Sequence, residues 1–210
     1  MMTASSIALA ASAYVAGAIP SGYLLAKKTA GIDIRTRGTG NPGAANVYRM
    51  VGPSAGLWTF FFDALKGYLP VLAAERLSPE QPWLAVLCGA CAVIGHVWTV
   101  FLGGRGGKGV ATSAGVFLAL LPVPALAAMA VFFTAMKLSR HISVGSMSAA
   151  LALPVFAACV RAPEPALLLA CALGALVLAR HIPNLLCLLR GLPLSSLKKQ
   201  QPIEEKVCHG

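Results

Sequence analysis

Seven consecutive residues, Gly103-Gly104-Arg105-Gly106-Gly107-Lys108-Gly109, set five glycines around two cations just before an apolar run that begins at Val110. Glycine lets a backbone approach a ligand closely, and the unbonded amides of a first helical turn favour an anion. Lys108 adds a full positive charge, so the segment reads as a phosphate site, with Gly104, Gly106, Gly107, Gly109 and Thr112 as further candidate contacts. It is not a Walker loop. Leu102 stands where that motif begins with glycine, and Gly109 stands where it needs a magnesium-binding Ser or Thr.

A second segment, Gly38 to Asn46, joins turn-forming Gly and Pro to the hydroxyl of Thr39 and the amides of Asn41 and Asn46, groups suited to polyol or phosphate oxygens. Arg35, Arg37 and Arg49 surround it with positive charge and point to an anionic ligand. Further along, His181 follows Arg180 and precedes Asn184 by three residues, and histidine is the readiest proton carrier near neutral pH. A short polar stretch, His141 to Ser146, contributes Ser143 and Ser146. Asp63 and Lys66 are three apart and share a helical face, which suits a functional pair and a self-neutralised anchor equally well. His96 reads as a packing or interfacial residue. Cys88 and Cys91 have redox-motif spacing but lie inside an apolar run without polar activators, so they read as small hydrophobes.

The elements that position these groups are membrane spans. The 210 residues are 57% hydrophobic and 11% charged, with a mean hydropathy of +0.74, against about a quarter charged for a soluble domain. Apolar runs at Ala4–Ala26, Gly52–Ala74, Trp83–Leu102, Val110–Met136, Val144–Val160 and Ala166–Ala179 approach the roughly 20 residues that cross a bilayer. The run from Val110 is best divided at Pro122 and Pro124 into a hairpin, because basic pairs flank both of its ends. The count is then seven. All of the 17 Lys and Arg residues except Lys66, Arg76 and Arg161 then fall on one side, which the positive-inside tendency makes cytoplasmic. The expected fold is an all-α integral membrane protein, a seven-helix bundle with its N-terminus outside and its C-terminus cytoplasmic. Residues 1–192 form one transmembrane domain, followed by a mobile cytoplasmic tail at 193–210. The net charge of +10 reflects this topology rather than a nucleic-acid partner, and the cysteines imply no disulfide framework.

With this topology the segments Arg35–Arg49, Gly103–Thr112, His141–Ser146 and Arg180–Arg190 meet at the cytoplasmic face. Together they resemble the bacterial acyl-phosphate:glycerol-3-phosphate acyltransferase family, the PlsY type. The likeness is carried by Gly38–Asn46 with Arg49, by Gly95-His96 and Gly106–Thr112, by Ser143-Val144-Gly145-Ser146, and by Arg180-His181 with Asn184, Arg190 and Gly191. It covers about residues 10–192 and implies an acyl transfer from acyl phosphate to glycerol 3-phosphate in phospholipid synthesis, in the bacterial cytoplasmic (inner) membrane, without cofactor or metal. The resemblance implies catalytic roles for Lys108, Arg49, His181, Asn184 and Ser146, with Thr39 at the family's first-loop serine. It also implies coupling to a soluble acyl-phosphate synthase. Two departures stand out: Ala45 lacks the hydroxyl of the family's usual threonine, and Gly191-Leu192-Pro193 replaces the usual Gly-Thr-Glu. The rival from another class is a transporter of a small organic phosphate, which would place its polar groups near the bilayer midplane rather than at one face.

Overall fold

The computed structural model describes residues 3–193 together with 196 and 197, so the expected tail at 193–210 lies almost wholly outside the described residues. The described chain is helical: α1 (Ala4–Ala18), α2 (Ser21–Ala30), α3 (Ala44–Met50), α4 (Pro53–Leu77), α5 (Pro82–Val97), α6 (Val110–Leu120), α7 (Pro122–Ser139), α8 (Ile142–Cys159) and α9 (Glu164–Leu189). Short 3-10 turns lie at Ile34–Thr36 and Val100–Leu102. Five stretches are long and apolar enough to cross a membrane: Ala4–Ala30, Pro82–Leu102, Pro122–Ser139, Ile142–Cys159 and Glu164–Leu189. The other two of the seven expected spans correspond to α4, which carries Asp63, Lys66, Glu75 and Arg76, and to α6, whose 11 residues rise only about 16 Å.

The first expected span is two helices, not one, and the reason is Pro20. A proline has no N–H and ends the helix before it. Inside a membrane the backbone groups freed by such a break need side-chain partners. Thr99 Oγ1 donates to the Ala18 carbonyl at 2.5 Å, and Lys66 Nζ donates to the Ile19 carbonyl at 2.6 Å. The division of the long central run falls at Leu121, with Pro122 opening α7. The last span runs ten residues beyond its expected end at Ala179, carrying Pro183 within it, so Arg180, His181 and Asn184 stand on the last turns of α9 and not in a loop. Likewise Ser143 and Ser146 belong to the first turns of α8.

Small residues let these helices approach closely, as expected where lipid offers no hydrophobic drive between them. Gly17 of α1 lies directly on the Ala92 backbone of α5, and Gly115 of α6 on the Ala64 carbonyl of α4, so neither position has room for a Cβ. Between them, Val71, Leu84, Val93, Val116 and Phe117 form the fully buried centre. Leu57, Trp58, Leu138, Leu151 and Leu168 point outward, as an apolar exterior facing lipid requires. The loops at Arg35–Gly43 and Gly103–Gly109 and the polar ends of α8 and α9 are thereby brought around one cavity.

Candidate active site

The cavity holds about 100 Å³ and is walled by Thr39, Asn41, Asn46, Arg49, Asp63, His96, Lys108, Gly109, Ser143, Ser146, His181 and Asn184, closed by the apolar Phe60, Phe132 and Ile142. Lys108 donates from Nζ to Asn184 Oδ1, and Asn184 Nδ2 donates in turn to Ser143 Oγ at 2.7 Å. The amide therefore points its oxygen at the ammonium and its NH2 at the hydroxyl, which fixes the lysine head over the cavity. His181 Nδ1 stands 2.8 Å from the Val177 carbonyl. A carbonyl only accepts, so the proton sits on Nδ1 and the neutral ring keeps a free lone pair on Nε2. Ser146 Oγ donates back to the Ile142 carbonyl at 3.0 Å, leaving its oxygen as an acceptor.

The first loop owes its shape to the two asparagines. Asn46, buried, accepts the Thr39 N–H at 3.0 Å and donates to the carbonyls of Arg37 at 3.0 Å and Ile34 at 3.3 Å. Asn41 Oδ1 accepts the Gly43 N–H at 2.8 Å. Their amides are thus engaged with the loop's own backbone while their side chains still wall the cavity. Of the glycine loop, Lys108 and Gly109 reach the cavity, whereas Gly104, Gly106, Gly107 and Thr112 do not. Gly109, in the left-handed region at φ 87°, caps α6 and leaves the amides of Val110 and Ala111 at the cavity edge. Thr112 is fully buried with its Oγ1 lacking a hydrogen-bond partner among the described residues.

The sequence pattern reads His96 as a packing or interfacial residue and leaves Asp63 undecided, yet both line the cavity. Lys66 Nζ lies 2.7 Å from Asp63 Oδ1, and His96 Nδ1 lies 3.6 Å from the same oxygen. The signal available was the cost of ions in lipid, which marks such residues without saying what they serve. Cys88 and Cys91 are free thiols, Cys88 buried in the apolar core.

Loss of water around Lys108, helped by the neighbouring Arg180 and Arg49 charges, lowers its pKa to about 7. The free protein therefore holds a full ammonium below about pH 7 and loses it above, while a phosphate monoester gains its second charge above about pH 6. For an anionic substrate kcat/KM should rise through pH 6 and fall beyond about 7, since that ratio reports the free enzyme. A bound dianion restores the lysine proton, so kcat should hold to higher pH. Initial rates from about pH 5.5 to 9 bracket both steps, and a flat kcat/KM above about pH 7 contradicts this reading.

Beside the cavity an apolar groove of about 640 Å³ shares with it Arg49, Phe60, Val110, Phe132, Ile142 and Ser146. Four helices agree on its direction. From cavity to far end it runs Val110 to Phe117 on α6, Phe132 to Ala125 on α7, Ser146 to Leu153 on α8 and Val177 to Leu173 on α9. The first three of these steps are seven residues each, about 10 Å of helical rise. A cationic pocket opening into an apolar groove suits a molecule with an anionic head and a hydrocarbon tail.

The profile of the glycerol-3-phosphate acyltransferase family matches residues 7–191. The chain belongs to that family. A glycerol-3-phosphate acyltransferase of Geobacter sulfurreducens is 45% identical over 177 residues, covering 84% of this chain and 90% of the relative. One from Myxococcus xanthus is 47% identical over 178 residues, covering 84% and 92%. The fold is similar to the crystal structure of PlsY (YgiH), an integral membrane glycerol 3-phosphate acyltransferase, in its glycerol 3-phosphate form. That match has a TM-score of 0.85 and 37% identity, and covers 89% of this chain and 93% of the other. The lysophosphatidic acid form of the same enzyme superposes with a TM-score of 0.83 and 36% identity. This member of the glycerol-3-phosphate acyltransferase family is thus an integral membrane enzyme with an all-helical fold.

Proposed function

We propose that the chain moves a fatty acyl group from acyl phosphate to glycerol 3-phosphate, giving 1-acylglycerol 3-phosphate and inorganic phosphate. The observation that carries this reading is the junction itself: Lys108, Arg49, His181, Asn184 and Ser146 around one small cavity, with an apolar groove starting at its wall. The relatives' names and the two forms of PlsY support the acceptor and the product. A transporter of organic phosphate is not favoured.

An acyl phosphate is already activated, so the protein's task is to hold two anions close and align them. Lys108, Arg49 and the amides at the start of α6 hold the phosphates, the groove takes the acyl chain, and Asn184 and Ser146 orient oxygens. The acceptor hydroxyl attacks the acyl carbon, a new ester C–O bond forms, and the anhydride C–O bond breaks with its electron pair leaving on phosphate. Neutral His181 orients the hydroxyl through Nε2, and the departing phosphate takes its proton. Thr39, Gly109 and the loop shaped by Asn41 and Asn46 close the pocket over the acceptor. No step calls for a metal or a cofactor. A soluble enzyme that makes acyl phosphate would supply the donor.

The proposed orientation puts seven crossings in the bacterial cytoplasmic membrane, with the N-terminus outside and the cavity facing the cytoplasm, because the basic residues gather on that side. Inverted vesicles carrying the protein, given palmitoyl phosphate and membrane-impermeant radiolabelled glycerol 3-phosphate, should make labelled product. Right-side-out vesicles should make little until permeabilised. Equal rates in both would overturn the orientation, and no product in either would overturn the reaction.

A further inference from the structure

Three buried ionisable side chains, Asp63, Lys66 and His96, have no part in the reaction just described. Ions are retained in a membrane interior only when they do something or neutralise one another. Lys66 does both for the helix break, pairing with Asp63 at 2.7 Å and donating to the Ile19 carbonyl at 2.6 Å. His96, with Nδ1 at 3.6 Å from Asp63, is left to explain.

Its other contacts lead to the glycine loop. The His96 carbonyl accepts the Gly107 N–H at 3.1 Å, and the Val97 carbonyl accepts the Gly106 N–H at 3.0 Å. The His96 ring lies against the α-carbon of Gly107, with Nε2 in the space that a side chain at that position would need. From the opposite side Arg180 Nη2 donates to the Gly107 carbonyl at 3.2 Å. Gly107 is therefore clasped between the end of α5 and α9, and the next residue is Lys108.

We propose that His96, beside Asp63, is a positioning residue for the phosphate lysine: its imidazole is the seat on which Gly107 rests, and so fixes where Lys108 enters the cavity. Lys66 lets the arrangement work. By neutralising Asp63 it allows a carboxylate to stand in the wall of an anion site without repelling the anion. Gly106 and Gly107 then owe their identity to this seat, since neither is among the residues that wall the cavity. The inference rests on Lys108 being the phosphate-holding group.

Asp63 variants would leave Lys66 unpaired in the core and confuse folding with function, so the test is a double-mutant cycle between His96 and Gly107 in the full-length protein. The readouts are kcat and KM for glycerol 3-phosphate with palmitoyl phosphate as donor, with thermal unfolding in detergent as the check on folding. Misplacing a reacting group by an ångström costs about a hundredfold, so Gly107→Ala should lower kcat/KM by about that factor. His96→Ala should lower it by about tenfold, with unfolding little changed. In the double variant the methyl introduced at Gly107 falls into the space the ring vacates, so activity should recover severalfold over Gly107→Ala alone. A His96→Gln background keeps that space filled and should give no recovery.

Losses that simply multiply in the His96→Ala, Gly107→Ala double variant overturn the proposal. So does near-normal activity in both His96→Ala and His96→Gln. If His96→Ala does not fold, His96→Gln carries the decision: reduced kcat/KM with an unchanged unfolding temperature supports the seat, and unchanged kcat/KM rejects it. A fully active Lys108→Ala would instead remove the reading on which this rests, whereas an inactive Lys108→Ala beside active His96 variants rejects the seat alone.

Discussion

Lys108→Ala should reduce acyl transfer by at least about a hundred- to a thousandfold, the loss typical of removing one preorganised charge or donor from a dry site. Its ammonium stands over the cavity, tied to Asn184 Oδ1, and no other lysine lines that pocket among the described residues. Lys108→Arg should recover only part of the rate, because a planar fork does not fit the compact space of an ammonium and cannot make the same bond to Asn184. Arg105, exposed in the same loop and outside the cavity wall, should tolerate alanine with a loss of no more than a fewfold. Initial rates of the three variants, with helicity and thermal unfolding checked in detergent, decide this. Near-normal rates in Lys108→Ala would remove the phosphate site.

Asn184→Asp should be nearly as damaging, and more so than Asn184→Ala. The two side chains Asn and Asp have the same shape, so the change is one of charge. A carboxylate facing Lys108 would satisfy its ammonium and present a negative charge to an incoming phosphate. Asn184→Ala loses the bonds to Lys108 and Ser143 but leaves the cationic charge free to act. The expected order of kcat/KM for glycerol 3-phosphate is wild type, then Asn184→Ala, then Asn184→Asp at roughly a hundredfold below wild type or lower. Equal values for the aspartate and the wild type would show that charge at this point does not govern binding.

Which residues meet was legible from the sequence to a large degree, because chemistry and topology both concentrate there. Glycines around Lys108, the amides and hydroxyl of the first loop and the polar ends of two late segments all fall on one side once the basic residues are assigned a face. How they meet was not. The notion of the glycine loop as the anion cradle gives way to Lys108 and Gly109 at the cavity and Gly106 and Gly107 packed on His96, a contact between residues about ten apart that no local pattern announces. Asn41 and Asn46 show the same limit, since a side-chain amide that binds its own loop looks, in sequence, like one that binds a ligand.

The helix boundaries follow similar logic. Pro20 breaks the first run because Thr99 and Lys66, both distant in sequence, stand ready to receive the freed carbonyls. Pro183 in α9 lacks that effect: the helix continues past it to Leu189 and so delivers His181 and Asn184 from a rigid element rather than a loop. A proline read alone does not distinguish the two outcomes, because the partners that decide between them come from elsewhere in the fold.

In the proposed reaction one small cationic cavity at the mouth of an apolar groove brings acyl phosphate and glycerol 3-phosphate together. The decisive experiment gives purified protein radiolabelled glycerol 3-phosphate with palmitoyl phosphate, palmitoyl coenzyme A or palmitoyl carrier protein in parallel, without ATP or magnesium. Labelled 1-palmitoylglycerol 3-phosphate should form from palmitoyl phosphate alone, with one inorganic phosphate released per acyl group transferred. Strong turnover with either thioester and none with palmitoyl phosphate would contradict the proposed reaction.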